Sequence, residues 1–317
     1  MSEKRGLSSF NIIEDLNRNA DPLSGSDQIV EGCRPIFVIG LPRSGTTILE
    51  QALLDVFKFG YIDNISAKFW NIPEYGIALS SELYPFANRQ QKSFQSHSGF
   101  TSGIFGPHEF GYFWKRFFDY QHGYHEIDTI INQNQKDALR TEIRKLINLF
   151  NCSFVLKNPV AVTLNAKLLS EILPEALFIL IERERHEIAE SLLRTRLNTR
   201  GDINQWFSGI PKECVNLSKY DSPFEQVAQQ VIAYEDNIRV FQAAIKDSSR
   251  LFSIQYQMFC NNPVDTFRQI RTFFHDNNVK HHFSLETFDP GQVTMPTKNF
   301  TEWTKHIEEA FQKIAHE

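Results

Sequence analysis

The chain has 317 residues, 41% of them hydrophobic and 22% charged, which suits a globular protein with a large buried core. A net charge of −5 argues against a general nucleic-acid binder. No apolar run reaches the roughly 18 residues of a membrane span, and the start (Glu3, Lys4, Arg5) has no signal-like apolar segment, so the expected location is cytoplasmic.

Residues 1–32 are polar, with Asp21-Pro22 and Ser24-Gly25 turn signals, and read as an arm with one short helix at most. The run from Pro35 to Gly40 reads as a buried strand. Ile48, Leu49, Ala52, Leu53 and Val56 then recur at helical spacing. Strand, glycine-bounded turn and helix together make an anion cradle, because turn N–H groups and a helix N-terminus converge on one point. The spacing Gly40-x4-Gly45 is that of a nucleoside-triphosphate loop, but Thr46 stands where that loop carries lysine. The cation is Arg43, inside the turn.

Residues 58–130 are rich in aromatics, Gly and Pro, and read as short helices and loops forming a substrate region. Periodicity predicts helices over 133–150, 165–173, 186–199, 224–246, 263–274 and about 299–315. Strands are predicted over 153–156, 177–181 and 251–255, and a loop over 201–223. Alternating strands and helices imply an α/β protein with a parallel sheet covered on both faces, in one domain. The four cysteines (Cys33, Cys152, Cys214, Cys260) lack ligand spacing and read as reduced thiols. Arg183 ends the 177–181 strand, and Ser191 follows two helical turns on. Both can face the crevice at the strands' C-terminal edge, where open α/β sheets bind ligands. Plainer readings stay open: an Arg183–Glu187 ion pair, a solvated Ser191, and an exposed Lys157 at the end of Phe154-Val-Leu-Lys157.

The segment Pro42-Arg43-Ser44-Gly45-Thr46-Thr47 resembles the 5′-phosphosulfate loop of sulfotransferases that use PAPS (3′-phosphoadenosine 5′-phosphosulfate), in the arginine form of the tyrosylprotein and bacterial branches. Arg183 and Ser191 match that family's 3′-phosphate pair, with Arg194 as its common continuation. Arg185 departs from the proline often found there. Lys157 resembles the strand-end lysine that holds the transferring sulfuryl oxygens, and residues 252–263 resemble a fourth strand–helix step. The resemblance implies a three-layer P-loop-like fold with a helical and loop substrate region. It implies PAPS as cosubstrate and PAP (the desulfonated nucleotide) as product, no metal, and a small-molecule, glycan or lipid acceptor hydroxyl. The alternatives are a P-loop kinase or nucleoside triphosphatase, and a nucleotide-binding protein without catalysis.

A general base for the acceptor is not evident at the family's positions. The histidine that cytosolic members carry two residues after the lysine is Pro159 here. Tyrosylprotein members use a Glu about twenty residues after the loop arginine, and the nearest acid here is Asp63. The other candidates are His108 and Glu109 in Gly106-Pro-His-Glu-Phe110, which open a predicted helix amid aromatics. Those aromatics (Phe69, Trp70, Tyr75, Phe110, Tyr112, Phe113, Trp114, Phe117, Phe118, Tyr120) are candidates for an acceptor pocket or for plain core.

Overall fold

The run Pro35–Ile39 forms β1, whose five residues are all buried. Burial on both faces is what a continuous apolar run predicts for a central parallel strand. The computed structural model describes residues 9–23, 28–86, 89, 94, 96–97, 100–118, 120–121, 126–127, 131–214, 216, 220–294 and 302–316. Two-residue strands β2 (Ser96–His97) with β3 (Phe100–Thr101), and β4 (Tyr120–Gln121) with β5 (Glu126–Ile127), form small antiparallel pairs. The main sheet adds β6 (Phe154–Lys157), β7 (Leu177–Glu182) and β8 (Leu251–Gln255) in the order β6-β1-β7-β8, all parallel.

The helices are α1 (Ser9–Asn19), α2 (Thr46–Phe57), α3 (Pro73–Leu83), α4 (Gly111–Trp114), α5 (Gln133–Phe150), α6 (Ala166–Ile172), α7 (Arg185–Arg200), α8 (Pro223–Ala244), α9 (Tyr256–Asn261), α10 (Pro263–Asp276) and α11 (Glu302–Ala315). The period-2 alternation of the strands sorts them into layers. Ile36, Val38, Val155 and Ile179 face a cluster with Leu49 and Leu53 of α2 and Phe267 and Phe274 of α10. Phe37, Ile39, Leu156 and Phe178 face a second cluster with Ile143 of α5, Leu169 of α6, Val231 and Phe241 of α8 and Phe311 of α11. Helices therefore cover both faces of one parallel sheet.

Helix α5 keeps its predicted bounds because Asn132 and Gln135 close it with a capping box. Two short elements escape the periodicity: α9, and a π-turn at Pro159–Thr163 where a continued strand would lack the proline N–H. The part of the last helix predicted at 299–301 lies outside the described residues. Of the middle aromatics, Phe110, Phe113, Trp114, Phe117 and Phe118 are core. Tyr75 and Tyr112 are exposed, and the side chain of Tyr120 lies outside the described residues.

Phe178 lies between Phe37 (5.4 Å between ring centroids) and Phe241 (4.8 Å) and ties the sheet to α8. Phe178→Ala is expected to cost about 3–5 kcal/mol of stability, as large-to-small changes of a core aromatic do. Urea unfolding of the two proteins checks this, and a loss below about 1 kcal/mol would mean the ring is not a tie between layers.

Candidate functional site

Four parallel strands end at one edge of the sheet, and three adjacent ones deliver the predicted residues there. β1 runs into the loop 40–45, β6 ends in Lys157, and Arg183 follows β7. The loop is held open by backbone shape. Gly45 caps α2 at φ 107°, and a Cβ there would stand 2.5 Å from the Tyr256 ring. Only glycine combines that conformation with that contact. Arg43 also sits in the left-handed region, at φ 71°. A non-glycine residue there costs about 1–3 kcal/mol and persists when its surroundings impose it. Here Arg183 Nη1 donates to the Arg43 carbonyl at 3.1 Å, and Ser44 N–H closes a turn on the Leu41 carbonyl at 3.0 Å. Thr163 of the π-turn brackets Gly40, donating to its carbonyl at 3.0 Å and accepting from its N–H at 3.2 Å.

What this loop encloses is short of acceptors. The N-terminus of α2 has no side-chain cap. The Ser44 hydroxyl is fully buried and makes no hydrogen bond among the described residues. Arg43 Nε donates to Ser191 Oγ at 3.1 Å, and the Arg183 guanidinium lies 4.6 Å from the Tyr256 ring centroid. Burial first, and then the like charge of Arg183, lower the pKa of Arg43. Uncapped N–H groups, an orphaned buried hydroxyl and two neighbouring guanidinium groups fit a multiply charged anion, which would satisfy all three at once.

Beside the loop, Lys157 is buried but paired. Its Nζ donates to Thr47 Oγ1 at 2.9 Å and to Glu109 Oε1 at 2.7 Å, with Glu50 Oε2 at 4.0 Å. The Lys157 side chain is only 1% exposed, so the plainer reading of an exposed lysine gives way to an interior cation, and such a charge persists only with partners. Glu109 is 31% exposed, and its Oε2 has no partner among the described residues. Its carbonyl accepts from Asn158 Nδ2 at 3.1 Å, while Asn158 Oδ1 caps the π-turn at Val160 and Ala161. One side chain thus fixes both the end of β6 and the segment carrying Glu109.

A sequence model described as the sulfotransferase family matches residues 35–276, the span from β1 to the end of α10. The chain belongs to that family. It is therefore a transferase, and the kinase, triphosphatase and non-catalytic alternatives are set aside. A sulfotransferase from Mycobacterium avium, STF9, has a similar structure at 15% identity and TM-score 0.50, covering 96% of this chain and 80% of that one. Sulfotransferase STF1 from Mycobacterium tuberculosis H37Rv aligns at 18% identity and TM-score 0.48, covering 89% and 77%. A sulfotransferase from Alicyclobacillus acidocaldarius aligns at 14% identity and TM-score 0.43, covering 90% and 96%. At 15% identity the likeness to STF9 is one of fold. No curated protein sequence matches the chain. No helix among the described residues is long and apolar enough to cross a membrane.

In this sulfotransferase Arg43, Ser44, Arg183 and Ser191 gather at one place. Arg183 does form the ion pair with Glu187, at 2.9 Å, and that pair leaves Nη2 without a partner among the described residues. Arg194 turns away to Glu190. Pro42 and Thr46 are buried parts of the loop's wall, and Thr47 is bound to Lys157.

The three base candidates separate. His108 Nδ1 accepts the Phe110 N–H at 2.9 Å, so the neutral ring carries its proton on Nε2 and has no free lone pair. Burial lowers its pKa and keeps it neutral, which makes His108 a donor rather than a base. Asp63 is wholly buried. Its Oδ1 accepts from Ile65 and Ser66 N–H, and its Oδ2 meets Arg89 Nη1 at 2.6 Å and the Ser80 hydroxyl. That carboxylate is engaged in holding the 63–66 turn against α3. Glu50 and Asn158 escaped the sequence reading. An acid inside the apolar run Ile48–Leu53 was the available signal for Glu50.

Asp63→Asn is accordingly expected to cost about 3–5 kcal/mol of stability, as breaking a buried ion pair does. Urea unfolding measures this. Full stability with abolished turnover would instead restore Asp63 as the base.

Proposed function

We propose that this sulfotransferase moves a sulfuryl group from PAPS to an acceptor hydroxyl, with Glu109 as general base. The observation that supports it is the Thr47–Lys157–Glu109 chain, which joins the anion loop to a partly exposed carboxylate through one ammonium. The loop N–H groups, Ser44 and Arg43 would hold the 5′ end of the nucleotide, and Arg183 with Ser191 its 3′-phosphate. When bound, PAPS supplies an activated sulfuryl group on a phosphate leaving group. Glu109 Oε2 takes the acceptor's proton as its oxygen bonds to sulfur and the bond from sulfur to the leaving phosphate breaks. Lys157 and Arg43 offset the charge on the transferring and departing oxygens, the same task that fixed cations perform in phosphoryl transfer. The acceptor approaches over the exposed ring of Tyr112, three residues from Glu109 and 6.4 Å from the Trp70 ring. An aromatic floor of this kind suits a sugar, phenol or lipid hydroxyl.

Glu109→Gln is expected to lower turnover about 10²–10⁴-fold, the range for a lost general base, and His108→Ala much less. PAPS-dependent sulfation of an acceptor panel, read by product mass, measures both. Turnover within a few-fold of the parent in Glu109→Gln would remove the base from this position. PAP should bind better than AMP by about 2–4 kcal/mol, because a charged, hydrogen-bonded phosphate is gained. Arg183→Ala should erase most of that gap in calorimetry. Equal parent affinity for the two nucleotides would refute the 3′-phosphate site.

A further inference from the structure

The proposed transfer leaves Glu50 without a task, although it is built into the site's interior. It lies three residues beyond Thr47 on α2, with its side chain 3% exposed. Its Oε2 is 4.0 Å from Lys157 Nζ, within ion-pair range and beyond hydrogen-bond length. The same ammonium is in full hydrogen-bond contact with Thr47 and Glu109. Two carboxyl groups therefore compete for one buried cation, one of them at the opening and the other beneath it. An ammonium has three donors on a flexible stem, so its direction follows whichever acid carries charge.

We infer that Glu50 is a positioning residue for Lys157. Uncharged, it leaves the ammonium on Thr47 and Glu109 beside the anion loop; charged, it draws the ammonium inward, away from a bound anion. The inference rests on the nucleotide reading above. The charge state follows from burial, which raises the Glu50 carboxyl to about 8. Lys157 on β6 pulls it down and Glu109, on the segment before α4, pushes it up. His108, next to Glu109, is kept neutral by burial. A raised acid is neutral below its pKa and charged above it, so the ammonium is released outward at neutral pH and withdrawn as pH rises through about 8.

The test is calorimetric binding of PAP to the full chain at pH 7, 8 and 9. PAP's phosphates are about nine-tenths ionised at pH 7, with the second ionisation near pH 6, and the remaining charge gained above pH 7 would strengthen binding slightly, opposite to the expected fall. Parent affinity is expected to fall about tenfold from pH 7 to 9, the span of one group titrating near 8. Glu50→Gln should hold its affinity within about threefold across the range, because nothing at that position titrates. Lys157→Met should bind more weakly throughout and lose the pH slope, since the effect acts through the ammonium. A flat parent profile overturns the inference whether or not Glu50→Gln folds. A slope that survives in Lys157→Met overturns it too, by showing that the Glu50 charge repels the anion directly. A slope that survives in Glu50→Gln assigns the titration elsewhere. No PAP binding by the parent at pH 7 overturns the nucleotide reading itself, and this inference with it.

Discussion

A buried ammonium sets the terms for this site. Lys157 ends a strand inside the protein, where an unpaired charge would be prohibitive, so three groups from two other segments must converge on it. Thr47 comes from the first turn of α2, Glu50 from the next, and Glu109 from the segment before α4. Their convergence needs the anion loop, the end of β6 and the substrate region to be in fixed relation. Asn158 and Thr163 provide this by hydrogen-bonding from the β6 exit to Glu109 on one side and to Gly40 on the other.

The anion loop depends on the same packing. Its left-handed Arg43 is held by Arg183, which is itself held by Glu187 and by the face of Tyr256. Tyr256 in turn packs where a Gly45 side chain would be. So the cradle is shaped by the strand ends of β7 and β8 as much as by its own glycines. Arg43 and Arg183 meet at the cost of like-charge repulsion, a strain that a multiply charged ligand would relieve.

Two functions are divided between similar residues. Asp63 and Glu109 are both acids in the aromatic middle region, but Asp63 has spent both oxygens on Arg89, Ser80 and the 63–66 turn. Glu109 has spent only one. The aromatics divide likewise: the run around Phe113 fills the core against the sheet, and Tyr112 and Tyr75 remain at the surface. Helical spacing decides this, since Tyr112 lies on the side of its turn opposite to Phe113 and Trp114.

The sequence by itself determined the sheet and the anion loop. Short apolar runs bounded by turn signals read as strands, and a Gly-bounded turn before an apolar helix reads as an anion cradle, so β1, β6, β7, β8 and most helices were legible. Arg183 and Ser191 were legible for the same reason, because their spacing along one strand–helix unit is a local quantity. Which acid meets Lys157 was not, since Glu109 lies in the weakly periodic 58–130 region and reaches it across 48 residues of chain. Neither were the burial of Lys157, the tautomer of His108, the full engagement of Asp63 nor the place of Glu50 beneath the ammonium. Each of these depends on partners from distant segments, and only tertiary packing decides which partners a buried polar group finds.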